Sequence, residues 1–170
     1  MASRRGVVAL VVGAVLVVGG VIALGVSALP AGARDVAPIA PNSAPAEYFT
    51  EYEFSVLAGG TVRGTFSVQN NTPITVFVFS DAEYSAYLNG QNFTNALYAS
   101  AVNGTLNLQV SGWNTYHIVF AHGPGYGAQE QDVAVNLSST GIDPGYFLGG
   151  VAAATVGSIL VVLGVRWVRR

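Results

Sequence analysis

The chain has 170 residues, with seven arginines, no lysine, no cysteine, nine carboxylates and a formal net charge of −2. All nine carboxylates lie between two long apolar runs, residues 6–29 and 146–165, neither of which carries a charge. That pattern excludes a basic surface for nucleic acid. It also excludes a thiol nucleophile and a disulfide-stapled fold.

Residues 1–5 carry Arg4 and Arg5 and read as a cytoplasmic N-terminus. The run 6–29 reads as a transmembrane helix. A hydrocarbon core of about 30 Å needs about 20 helical residues, and both apolar runs reach that length. Two readings of the first run stay open. Ala31-Gly32-Ala33 resembles a signal-peptidase site, and Ser3-Arg4-Arg5-Gly6-Val7-Val8 resembles a twin-arginine export motif without its downstream basic residue. The run is longer than the usual signal h-region of about 7–15 residues, which favours an uncleaved signal anchor.

Residues 30–46 hold Pro30, Pro38, Pro41 and Pro45 and are expected to form an extended linker. From residue 47 to 138 the pattern is period two. Tyr48, Tyr52, Phe54 and Val56 mark a first strand, closed by Gly59-Gly60. Val62, Gly64, Phe66 and Val68 alternate with Arg63, Thr65 and Ser67 in a second. The run Ile74-Thr75-Val76-Phe77-Val78-Phe79 reads as a strand covered on both faces. Ser80-Asp81-Ala82-Glu83 is a capping box. It predicts a short helix ending at Gly90 and lying over one end of the domain. Strands follow at 94–101, 104–110 and 113–121, and a last one carries Val133, Val135 and Leu137. The predicted fold is all-β: an antiparallel β-sandwich of 7–8 strands with one short helix, between an N-terminal and a C-terminal transmembrane helix. Residues 139–145 read as a return linker, 146–165 as the second transmembrane helix, and 166–170 as a basic cytoplasmic tail.

Arg4, Arg5, Arg166, Arg169 and Arg170 flank the outer ends of the two runs. The positive-inside rule therefore puts both termini in the cytoplasm, provided the first helix is retained, and the acidic centre outside the cell membrane. With no cysteine, such an exported domain fits an archaeal or bacterial surface. The second run contains Gly149, Ala153 and Gly157 at four-residue spacing, a small-residue face on which the two helices would pack together or on a protein partner.

No residue is assigned a catalytic, cofactor-binding or metal-binding role, and no cofactor is expected. His117 and His122 could approach Glu130 and Asp132, but their odd spacing puts them on opposite faces of a strand. They read instead as a surface and a loop histidine. Glu51 and Glu53 share a strand face and read as solvated carboxylates. The chain contains no G-x-S-x-G, P-loop or H-E-x-x-H motif. Four sequons stand at Asn70, Asn92, Asn103 and Asn136. Chance would give about one, so they are candidate glycosylation sites, against the alternative that turns favour Asn, Gly and Thr.

Three stretches carry a family likeness: Phe54-Ser55-Val56-Leu57-Ala58-Gly59-Gly60-Thr61-Val62-Arg63-Gly64-Thr65-Phe66, Asp81-Ala82-Glu83-Tyr84, and Asn114-Thr115-Tyr116-His117-Ile118-Val119-Phe120. Together they resemble Golgi-dynamics (GOLD-like) β-sandwich domains and their uncharacterised prokaryotic membrane-anchored relatives, over residues 48–138. The chain departs from those relatives at Ala121-His122, where Asn is frequent. The resemblance rests on core and turn residues. It implies a binding or scaffold role and no chemistry. The expected function is a membrane-anchored extracytoplasmic binding or scaffold protein, an accessory subunit of a membrane complex or a cell-envelope surface protein. The alternative is a small-ligand or carbohydrate-binding module using the glycine-rich loop 122–127, with an enzyme third. Tyr84, Tyr87, Tyr98, Trp113 and Tyr126 are candidates for a contact surface.

Overall fold

The computed structural model describes residues 4–39 and 49–169. The chain divides into two compact units. One consists of the terminal segments up to Leu29 and from Ile142. The other is the domain Pro30–Gly141.

The terminal unit is a pair of helices, α1 (Arg4–Val26) and α3 (Pro144–Val168). At about 1.5 Å per residue they run about 34 and 37 Å, enough for a bilayer core of about 30 Å. Asp143 caps α3 by accepting from the Tyr146 N–H at 2.9 Å, and Pro144 occupies the first turn, where no N–H is needed. The Asp143 N–H also donates to the Ser27 carbonyl at 2.8 Å.

The helices run antiparallel and touch through glycine. Gly6, Gly13 and Gly20 are the buried residues of α1, and Gly150, Gly157 and Gly164 those of α3. A Cβ on Gly13 would lie 2.7 Å from the Gly157 carbonyl oxygen, and one on Gly157 the same distance from the Gly13 oxygen. Gly20 meets Gly150, and Gly6 meets Gly164, in the same way. This corrects the expected seam. Gly157 lies on it and Ala153 is half-buried, but Gly149 is exposed with nothing within 4 Å of its Cβ position. The cause is helical periodicity. Eight residues advance a helix by about 80° beyond whole turns, whereas seven fall short by only about 20°. A seven-residue repeat therefore stays on the contact line along the whole helix, and a four-residue repeat leaves it.

Among the described residues the domain has eight strands: β1 (Ala31–Ile39), β2 (Phe49–Val56), β3 (Gly60–Val68), β4 (Ile74–Ser80), β5 (Ala96–Ala101), β6 (Asn103–Val110), β7 (Asn114–His122) and β8 (Gln131–Gly141). One short helix, α2 (Asp81–Leu88), follows β4. The strands form two antiparallel four-stranded sheets, in the orders β1-β8-β3-β6 and β2-β7-β4-β5. Between them lies a core that includes Phe54, Val62, Phe66, Val76, Ile118, Phe120, Val133 and Val135.

Two linker expectations are corrected. Residues 31–39 form β1, paired with β8 from Ala31↔Ser139 to Ile39↔Gln131. Pro38 is tolerated because β1 is an edge strand, and Ala37 and Ile39 are buried. The rest of the expected linker, 40–46, and Tyr48 lie outside the described residues. At the other end, β8 continues to Gly141 and α3 begins at Pro144, leaving little of the return linker. The short helix also sits elsewhere than expected. It lies on the outer face of the second sheet, where Phe79, Val119 and Ala121 are buried and Phe49, Phe77, Tyr84, Tyr87 and Phe93 pack on them. The same packing explains why β4 is apolar on both faces. The Ser80 N–H and hydroxyl donate to Glu83 Oε2 at 2.8 and 2.9 Å. At the far end the Gly90 N–H bonds the Tyr87 carbonyl and the Gln91 N–H the Ala86 carbonyl, with Gly90 at φ +66°. That is a Schellman stop.

Candidate functional site

The outer face of the second sheet carries three side-chain rows set by strand register. Glu53, His117 and Phe79 form one row, Glu51, Val119 and Phe77 the next, and Phe49, Ala121 and Thr75 the third. The face is thus acidic at the β2 side of one end and aromatic elsewhere. Because β4 ends at Ser80, opposite Tyr116, α2 starts beside His117 and delivers Asp81 and Tyr84 to it.

His117 is only 5% exposed. Its expected place on the surface is therefore corrected: β7 is an inner strand of the sheet, and α2 covers its outer face. Both ring nitrogens face carboxylates. Nδ1 meets Glu51 Oε1, and Nε2 lies 3.1 Å from Asp81 Oδ1. The Tyr84 hydroxyl donates to the second oxygen of Glu51, Oε2. The Tyr84 ring stacks on the imidazole with centroids 4.1 Å apart and planes 13° apart. Burial raises the Tyr84 phenol pKa above its ordinary value, and its bond to Glu51 and the charges of Glu51 and Glu53 push it further. The phenol therefore stays protonated and remains a donor. One ligand atom each from Glu51, Glu53 and His117 lie within 4.8 Å of one another.

The combination weighed from sequence is not assembled. His122 faces the opposite side of β7, as the odd spacing requires, and its Nδ1 meets Gln131 Oε1 at 2.6 Å. Gln131 is fully buried, and its Nε2 donates to the Thr72 and Pro73 carbonyls and to Thr72 Oγ1. Glu130 is exposed at the start of this segment. The 122–127 loop is tied down at its first glycine, where the Gly123 N–H bonds the Pro73 carbonyl at 3.2 Å. A shallow groove of about 730 Å³ lies instead on the outer face of the first sheet, lined in part by Arg34, Asp35, Thr65, Ser67 and Asn136.

The four sequon asparagines are all exposed. Asn70 is engaged in its own turn: Oδ1 accepts from the Thr72 N–H at 3.3 Å, and Nδ2 donates to the Glu130 carbonyl at 3.0 Å. Asn103 opens β6, and Asn136 stands on the solvent face of β8. Among the aromatic candidates, Tyr84 and Tyr87 belong to the small core under α2. Tyr98 is half-buried and donates to the Thr105 carbonyl at 2.8 Å. Trp113 is 68% exposed. Arg4, Arg5, Arg166 and Arg169 lie at the joined end of the helix pair, where Gly6 meets Val168. Arg170 is outside the described residues.

Sequence reasoning missed the tie between Glu51, His117, Asp81 and Tyr84. Its members are separated by up to 66 positions, and no local spacing joins them. The one available signal was a buried-strand histidine in a chain poor in charge.

No protein-family model matches the chain, and no curated protein matches it. The solved structures that resemble it at low similarity include the following three. The pre-peptidase C-terminal domain of a collagenase from Bacillus anthracis has 9% identity and a TM-score of 0.38, covering 64% of this chain and 87% of that one. PliG from Salmonella Typhimurium, a periplasmic inhibitor of g-type lysozyme, has 14% identity and a TM-score of 0.38, covering 65% and 91%. The infectious bursal disease virus VP2 subviral particle has 11% identity and a TM-score of 0.37, covering 73% and 35%. None of the three is a Golgi-dynamics domain, and similarity at this level carries no weight for function.

Proposed function

We propose that the chain is a membrane-anchored binding or scaffold protein whose β-sandwich faces outward from the cell membrane, as an accessory subunit of a membrane complex or an envelope surface protein. One observation carries the reading. The glycine-seamed helix pair gathers Arg4, Arg5, Arg166 and Arg169 at one end, while the other end closes at Ser27 and Asp143, where the chain enters and leaves the domain. Arginine is retained on the cytoplasmic side. The segment that crosses holds only Arg34 and Arg63 against its carboxylates. The GOLD-like resemblance supports the same role.

Protease added to intact cells should cut the sandwich, and opening the cells first should not be required. A sandwich that survives on intact cells but is lost from opened ones overturns the orientation. Native purification in mild detergent then separates the two roles: a stoichiometric partner supports the subunit reading, and recovery alone supports the surface protein. The groove on the first sheet, to which Arg34, Asp35 and Asn136 contribute polar groups, favours a second reading, a small-ligand or carbohydrate module. That reading requires ligand-dependent shifts in the thermal midpoint, which Arg34→Ala should abolish.

A further inference from the structure

We propose that Glu51, Glu53 and His117 bind a divalent transition-metal ion, with Asp81 and Tyr84 positioning its ligands. The inference does not depend on the membrane orientation.

The hydrogen-bond inventory leads to it. Ionised carboxylates only accept, and a neutral imidazole donates from one nitrogen alone. When Nε2–H donates to Asp81 Oδ1, the lone pair of Nδ1 points at Glu51 Oε1. Two acceptors then face each other, and a metal ion that takes both as ligands relieves the contact, as does a proton. Three features favour the metal. First, Glu53 is the cross-strand partner of His117 and adds a third ligand atom within 4.8 Å of the other two. Second, the Tyr84 hydroxyl occupies Glu51 Oε2 and leaves Oε1 turned toward the imidazole. A carboxylate on the far nitrogen of the histidine and a donor on the far oxygen of the glutamate are the outer partners that fix metal ligands in place. Third, the charge is unbalanced. Three carboxylates surround one imidazole, the chain has no lysine, and Arg34 and Arg63 stand on β1 and β3 of the other sheet. Among the described residues, no guanidinium pairs with this cluster.

The donor set selects the ion. One imidazole nitrogen with two carboxylate oxygens suits Zn²⁺ and its first-row neighbours, whereas Ca²⁺ takes six to eight oxygens. Glu53 is exposed, which leaves the remaining coordination positions open to water.

The test uses the full chain in detergent, stripped with a chelator and titrated with ZnCl₂ by calorimetry, with bound metal counted by mass spectrometry and Co²⁺ absorbance as a second readout. The expected result is one ion per chain. Glu53→Gln, a surface change that leaves α2 packed, should weaken binding at least about tenfold. Asp81→Asn should weaken it about 10- to 100-fold through the orientation of His117. Glu130→Gln, remote from the cluster, should leave binding unchanged. The proposal is overturned if the stripped chain takes up no stoichiometric Zn²⁺. It is equally overturned if Glu53→Gln and His117→Gln bind as the parent does. Should His117→Gln fail to fold, Glu53→Gln alone decides.

Discussion

The helix seam gives the sharpest forecast. Placing a leucine at Gly157 puts a Cβ 2.7 Å from the Gly13 oxygen, 2.8 Å from the Val17 nitrogen and 2.9 Å from the Leu16 Cβ. Two of these are backbone atoms and the third is fixed to the backbone, so no rotamer change relieves the contact. The helices must separate, and separation at the central glycine pair also loosens the pairs on either side. Overpacking of a close contact costs about 1–3 kcal/mol. At about 1.4 kcal/mol per tenfold, the paired state should fall by about 5- to 140-fold relative to the separated one. No hydrophobic force between helices in a lipid-like phase offsets this loss. The chain has no cysteine of its own. A pair introduced at Ala9 and Leu160, which line one groove between the helices, can therefore be bridged by a maleimide crosslinker and read as a gel shift. Gly157→Leu should lower the bridged fraction, and Gly149→Leu on the exposed side should not. Equal effects from the two substitutions would refute the seven-residue seam.

Phe79→Ala empties the centre of the small core under α2, where Phe77, Tyr87 and Phe93 rings surround it. It should cost about 3–5 kcal/mol, read as a lower urea midpoint by circular dichroism. The Glu83 carboxyl is held below its ordinary 4.5 by the Ser80 N–H first, then by the Ser80 hydroxyl and Asn95. Its stabilising contribution is complete above that ordinary value and is lost as pH falls through the lower folded one. Glu83→Gln should therefore destabilise the domain at neutral pH and bring variant and parent together in acid, as followed by thermal melts at stepped pH. Intact mass of the native protein should exceed the 17.6 kDa polypeptide by whole glycans, and Asn136→Gln should remove one of them. A native mass equal to the polypeptide would dismiss all four sites.

What could be read from the sequence depended on how locally each feature is encoded. The alternation of Val62, Phe66 and Val68 with Arg63 and Ser67 records a half-buried strand within nine residues. The Ser80–Glu83 box and Gly90 mark both ends of α2 by adjacent chemistry. β1 left no such record. It is an edge strand with only Ala37 and Ile39 buried, and β8 supplies its pairing from about a hundred positions away. The cluster around His117 was hidden for the same reason. Glu51 and Glu53 become its neighbours only once β2 pairs with β7, and Asp81 only once β4 pairs on the other side. The glycine seam was half legible. The small residues were visible, but choosing Gly150 over Gly149 needs the partner helix to set the contact line.

The bond from Asp143 to the Ser27 carbonyl has a thermodynamic consequence for the segment between them. As long as α1 and α3 stay associated, Pro30 and Gly141 are the ends of a closed loop, and the unfolded domain cannot stretch out. Cross-linking the ends of a loop of about 100 residues removes about 4.7 kcal/mol of unfolded-chain entropy. A chain without a single thiol thus obtains from two interlocked helices the kind of staple that a disulfide gives other domains.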